Sequence, residues 1–188
     1  MADRERRTMA GSVEARAEGE ARTLHGYAAV FGQRTDIMGL FDEQIAPGAF
    51  RDAIGRDDVR ALFNHDPNYV LGRSSAGTLR LAEDARGLRY DIDPPDTQVG
   101  RDVTISIARG DVQGSSFSFE VEEESWDYPK DGRPVRTIQR AKLYDVGPVT
   151  FPAYEQTTVS ARSREAARGV GAETLSRELS RWKLAQAS

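Results

Sequence analysis

The sequence predicts a mainly β protein, a β-barrel with a few surrounding helices. Three observations predict it. Short runs that alternate apolar and polar residues recur along the chain, separated by Gly, Pro and Asp. Helical signals are confined to brief stretches. The 188 residues, 38% hydrophobic and 30% charged, suit one core with modest extensions.

Residues 1–12 are polar and charged, with Asp3, Arg4, Arg6 and Arg7 close together, and read as a loose tail that cannot bury much. Alternation begins at Val13, with Ala15 and Ala17 on the same face. Glu18, Gly19 and Glu20 read as a turn, and a second strand follows over 22–31. Residues 46–55 read as a short helix, with Pro47 near its start and Gly55 just past its end. In 58–65, Val59, Ala61, Phe63 and His65 share one parity of a strand. Further strands are expected at 69–72, 78–82 and 87–93. Pro94 and Pro95 break the pattern, and 103–108 reads as a helical turn or two ended by Gly110. The clearest strand is 115–121: Phe117, Phe119 and Val121 face one way, Ser116, Ser118 and Glu120 the other. Residues 122–134 read as a charged loop and 135–149 as a strand. The organisation is then a tail (1–12), a folded domain (13–162) and a C-terminal tail (163–188). In that last tail Leu175, Leu179 and Trp182 form an apolar helical stripe.

Composition excludes several chemistries. With 30 acidic and 26 basic residues, the net charge of −4 argues against broad nucleic-acid binding. The absence of cysteine excludes a disulfide scaffold, thiolate metal sites and a cysteine nucleophile. Two histidines, His25 and His65, cannot make a three-histidine metal site, and no metal-ligand spacing stands out, so no cofactor is expected. No apolar run approaches the length of a membrane span, so no membrane partner is expected and the cytoplasm is the default location.

His65 lies at a strand end, where Asp66-Pro67 forces a turn, and a neutral imidazole there is placed to take a proton. Taken alone, such a histidine is more often structural. Ser116 lies opposite the Phe face of its strand, after a Gly-containing turn; its hydroxyl is a weak nucleophile unless a base removes the proton. By pattern alone, Ser115, Ser116 and Ser118 read as the solvated side of a strand. A carboxylate would be needed to orient the imidazole. Asp145 among apolar neighbours and Glu120 on the face of Ser116 are both candidates. His25 reads as a structural residue in a strand interior.

The ordered segments Gly26-Tyr27-Ala28-Ala29-Val30-Phe31, Ala46-Pro47-Gly48-Ala49-Phe50, Phe63-Asn64-His65-Asp66, Gly114-Ser115-Ser116-Phe117-Ser118-Phe119 and Asp145-Val146 with Pro152-Ala153-Tyr154 resemble the HK97-type prohead (capsid maturation) proteases of tailed phages, which also occur in gene transfer agents. The resemblance spans about residues 10–162. It implies a serine endopeptidase with a fold like that of herpesvirus assemblin. It also implies His65 as the family histidine, Ser116 rather than Ser115 as the nucleophile because it directly precedes Phe117, and Asp145 at a position where many members carry Glu. The implied partners are the major capsid protein with its scaffolding segment and the enzyme itself, as substrate or as a dimer or prohead-internal oligomer. The implied location is the assembling prohead in the host cytoplasm. Backbone donors for an oxyanion are expected from a loop at 147–154. Rival readings are a non-catalytic capsid-assembly or scaffold protein, a metal-dependent hydrolase using His65 and Asp66, and a β-barrel binding module.

Overall fold

Two β-sheets and two helices make up the computed structural model, which describes residues 4–10, 12–18, 21–130 and 132–152. The strands are β1 (Glu5–Met9), β2 (Val13–Glu18), β3 (Ala21–Val30), β4 (Thr35–Ile37), β5 (Phe41–Ile45), β6 (Arg60–Leu62), β7 (Val70–Arg73), β8 (Leu79–Glu83), β9 (Gly87–Ile92), β10 (Gly114–Asp127) and β11 (Val135–Val149). The larger sheet runs β1-β10-β11-β5-β4, with β6 pairing β11 and β7 pairing β6; the smaller runs β2-β3-β9-β8. The mainly β expectation is met, but the strands form two sheets rather than one closed barrel. The C-terminal stripe of Leu175, Leu179 and Trp182 lies outside the described residues.

The sheets face each other through the alternating apolar sides of their strands. Leu24, Leu88, Tyr90 and Ile92 of the smaller sheet share a core with Phe117, Phe119, Leu143 and Val146 of the larger. Phe117 anchors this core, edge-on to Phe50 at 5.5 Å and stacked on Phe119 at 4.9 Å. Removing a buried ring of this kind costs about 3–5 kcal/mol. Because side chains alternate along a strand, burying Phe117 and Phe119 commits Ser116 and Ser118 to the opposite face.

Helix α1 (Arg51–Arg56) is shorter than 46–55: residues 46–50 make a turn, Gly55 lies inside the helix, and Asp57 caps it. Helix α2 (Gln98–Arg109) begins earlier than 103 because Thr97 caps it, its hydroxyl accepting from the Gly100 N–H at 3.2 Å. It ends at Gly110 as expected, in a left-handed conformation. Two further expectations are corrected. The charged stretch after residue 121 continues as strand to Asp127, because Trp126 packs edge-on to Phe41 at 5.0 Å and Glu124 pairs with Arg136 at 2.7 Å. Residues 5–9 form an edge strand on β10, and Glu5 and Arg7 in it are buried. Their charges are matched by Glu43 and Arg136, which lie far away in sequence. Charge density therefore misreads this segment as a tail.

Candidate functional site

β6 ends at Leu62, and the chain then makes a tight 3-10 turn, Phe63–His65. Asn64 and His65 both adopt the left-handed conformation, at φ 54° and 58°. Non-glycine residues occupy that region at a cost of order 1–3 kcal/mol each unless the surroundings hold them there. Asn64 is held from both ends of its amide: Oδ1 accepts from the Thr150 N–H at 2.9 Å, and Nδ2 donates to the Thr150 hydroxyl at 3.2 Å. Gly147 completes the fit. A side chain there would place its Cβ 2.2 Å from the Leu62 carbonyl, so only glycine lets the β6 end approach β11 this closely. The turn carries the His65 imidazole under the sheet, onto the face defined by Ser116 and Ser118.

There three of the candidate residues meet. His65 Nδ1 lies 2.5 Å from Asp145 Oδ1, and His65 Nε2 lies 2.5 Å from Ser116 Oγ. The order is carboxylate, imidazole, hydroxyl, with Asp145 and Ser116 on the adjacent antiparallel strands β11 and β10. All three are buried; Ser116 has no exposed surface at all. Ser118 donates to Asp145 Oδ2, and the Arg4 guanidinium pairs with the same oxygen. Burial by itself would push the Asp145 carboxyl up. The hydrogen bond and charge of His65, the Ser118 hydroxyl and Arg4 outweigh it and hold the group below its ordinary value of 3.8.

The other candidates go elsewhere. Ser115 faces the smaller sheet, its hydroxyl hydrogen-bonded to that of Tyr90 at 2.5 Å. Glu120 accepts from the Tyr144 hydroxyl at 2.7 Å, so Asp145 and not Glu120 holds His65. Tyr144 itself is pushed up to about 12, first by that bond and then by burial. His25 sits mid-strand on β3, paired through Nδ1 with Asp91 of β9. Of the expected loop of backbone donors, Gly147–Val149 belong to β11, 150–152 follow the strand as irregular chain, and 153–154 lie outside the described residues. Among the described residues no group of three or more His, Asp or Glu side chains is placed to hold a metal ion.

Two site residues were not legible as such. Ser118 reads as solvated surface yet is buried on Asp145; its shared parity with Ser116 is the signal that places it. Arg4 falls in the supposed tail, and nothing local marks it.

The fold and the cluster define a two-sheet β protein with a buried serine, histidine and carboxylate in hydrogen-bonding sequence. The family model of the caudovirus prohead serine protease matches residues 11–169, and the chain belongs to that family. No curated protein matches it. Among solved structures it is similar to the capsid assembly protease gp21 of bacteriophage T4, with a TM-score of 0.54 at 11% identity, covering 80% of this chain and 98% of that one. At that identity the likeness speaks for the fold. Among the described residues no helix is long and apolar enough to cross a membrane.

Proposed function

We propose that this chain is an active serine endopeptidase of capsid maturation, with Ser116 as nucleophile, His65 as general base and acid, and Asp145 as the group that orients the imidazole. The observation that carries the reading is the unbroken run Asp145–His65–Ser116, with both contacts at 2.5 Å. Asp145 accepts from Nδ1–H, which fixes the tautomer that leaves Nε2 free to accept the serine proton. Ser116 Oγ attacks the peptide carbonyl carbon while its proton passes to Nε2. The C–N bond then breaks, and the imidazolium returns that proton to the leaving amine. Water, deprotonated by the same nitrogen, cleaves the acyl ester and restores the hydroxyl.

The family points to a capsid protein as partner. The scaffolding segment of the major capsid protein and the enzyme itself are the proposed substrates, cut inside the assembling prohead in the host cytoplasm. Incubating the purified chain with its capsid protein, followed by intact mass, tests this. Loss of terminal peptides from either protein with wild type, and none with Ser116→Ala, is the expected result. Equal processing by both proteins would refute the nucleophile assignment. A second reading, a non-catalytic assembly protein on the same fold, is favoured by one observation: Ser116 is fully buried. It predicts that neither form cuts.

A further inference from the structure

Ser116 is buried on β10, directly beside β1. β1 is the edge strand of the larger sheet: β10 holds it on one side, and no strand pairs its other side among the described residues. It runs antiparallel to β10 with Thr8 opposite Ser116 and Arg7 opposite Phe117. The Ser116 hydroxyl donates to the Arg7 carbonyl at 2.7 Å while also lying 2.5 Å from His65 Nε2. A hydroxyl has one proton and here two acceptors. Given to the carbonyl, that proton is not on its way to the imidazole. Arg4, just before β1, also pairs with Asp145 and so offsets the negative charge that would stabilise an imidazolium.

The inward face of β1 is held by charge. Arg7 grips Glu43 at both oxygens, Nε to Oε1 at 2.5 Å and an Nη to Oε2 at 2.7 Å. Glu5 receives an Nη of Arg136 at 3.0 and 3.1 Å, and Arg136 reaches back to Glu43 at 3.0 Å. All four side chains are buried. Beside Arg7, Thr8 and Met9 an open cleft of about 350 Å³ continues toward Gln44 and Ile45. With β1 gone, β10 would expose an unpaired edge with Ser116 on it. Glu43 would have lost Arg7 and kept only Arg136, and Arg136 would have lost Glu5 and kept Glu43 and Glu124.

Resting on the reading of Ser116 as nucleophile, we propose that the β1 position on β10 is the substrate groove and that β1 fills it in cis as a substrate-like stopper. The substrate is an extended peptide that adds to the β10 edge by main-chain pairing. It carries a basic residue where Arg7 sits, at the position whose carbonyl meets Ser116, and an acidic residue two places earlier where Glu5 sits. Glu43 reads the basic side chain and Arg136 the acidic one. A peptide lacking either takes a charge-assisted partner away from the buried Glu43–Arg136 pair, which is a basis for discrimination.

The test uses the full chain with Glu5→Ala and Arg7→Ala together, which strips the inward anchors of β1, and Arg7→Ala alone as the milder form. Thermal melting confirms that each is folded. Two measurements follow: the rate of Ser116 labelling by a fluorophosphonate, and the fluorescence anisotropy of a labelled peptide with the sequence of residues 4–10. Labelling is expected to rise about tenfold or more over wild type, and the peptide to bind the stripped chain but not the wild type. The same peptide with Arg7→Leu is expected to bind about tenfold or more weaker, and Glu43→Gln in the stripped chain to erase that difference. Equal labelling of wild type and stripped chains, or equal binding of the two peptides, would overturn the groove and stopper. Failure of every folded form to label would instead sink the nucleophile reading, and the anisotropy would still report on the groove.

Discussion

The molecule holds two histidine–carboxylate pairs, and their contrast shows what makes one of them a candidate site. His25 and Asp91 face each other across β3 and β9, in mid-strand, with side chains 27% and 15% exposed. His65 and Asp145 pair under the larger sheet at 4% and 1% exposure. Both use Nδ1. The difference lies at the other nitrogen and in the backbone. His65 Nε2 meets a serine hydroxyl, and its ring is aimed by a turn of two left-handed residues that follows Leu62, itself close against Gly147, whereas His25 lies within the β3–β9 ladder. An imidazole beside a carboxylate is therefore ordinary; a strained turn that presents its second nitrogen to a hydroxyl is what sets His65 apart.

The largest expected effect breaks the comparison outright. His65→Ala should lower cleavage of the capsid protein by about 10³-fold or more, while His25→Ala should stay within about twofold; initial rates on the same substrate check both. Next, Asp145→Asn keeps the shape but lets the wrong tautomer form, and a loss of about 10²–10⁴-fold is expected. Asp91→Asn should leave the rate nearly unchanged. Third, Gly147→Ala forces Leu62 and the turn beyond it to move; a shift approaching 1 Å at His65 should cost about 10²-fold in turnover, with KM little altered.

The smallest effects concern stability. Asn64→Ala removes both contacts to Thr150 and leaves alanine at positive φ, which should destabilise the fold by about 1–3 kcal/mol in urea titration. The Asp145 carboxyl is lowered in the folded protein, so ionisation there favours folding. That contribution is complete above the unfolded value of 3.8 and is lost as the pH falls from there through the lowered folded value. Melting curves of wild type and Asp145→Asn should converge as the pH drops below 3.8. A separation that stays constant through that range would assign the stabilisation to some other group.

Much of the framework was legible because it rests on local period. The parity of Phe117 and Phe119 against Ser116 and Ser118 set the two faces of β10 before any fold was known, and Gly110 marked the end of α2. The His65 turn was visible in Asp66-Pro67. The choice between Asp145 and Glu120 was not, because both sit on polar-facing strand positions. Position in the sheet decides it: β6, which leads into the His65 turn, pairs with β11 at Asp145 and Val146, while Glu120 lies farther along β10, opposite Lys142. No feature of either local segment announces that pairing.

Side-chain alternation, turn residues and composition are written in the chain itself, so the amino-acid order alone determined most of the strands after residue 12, the inward Phe face and the kinds of chemistry open to the protein. Only the tertiary structure decided that residues 5–9 form a strand and that Asp145 meets His65 from 80 positions away. A charge is buried or solvated according to which distant partner reaches it, and Glu43 and Arg136 come to Arg7 and Glu5 only after the sheet has formed.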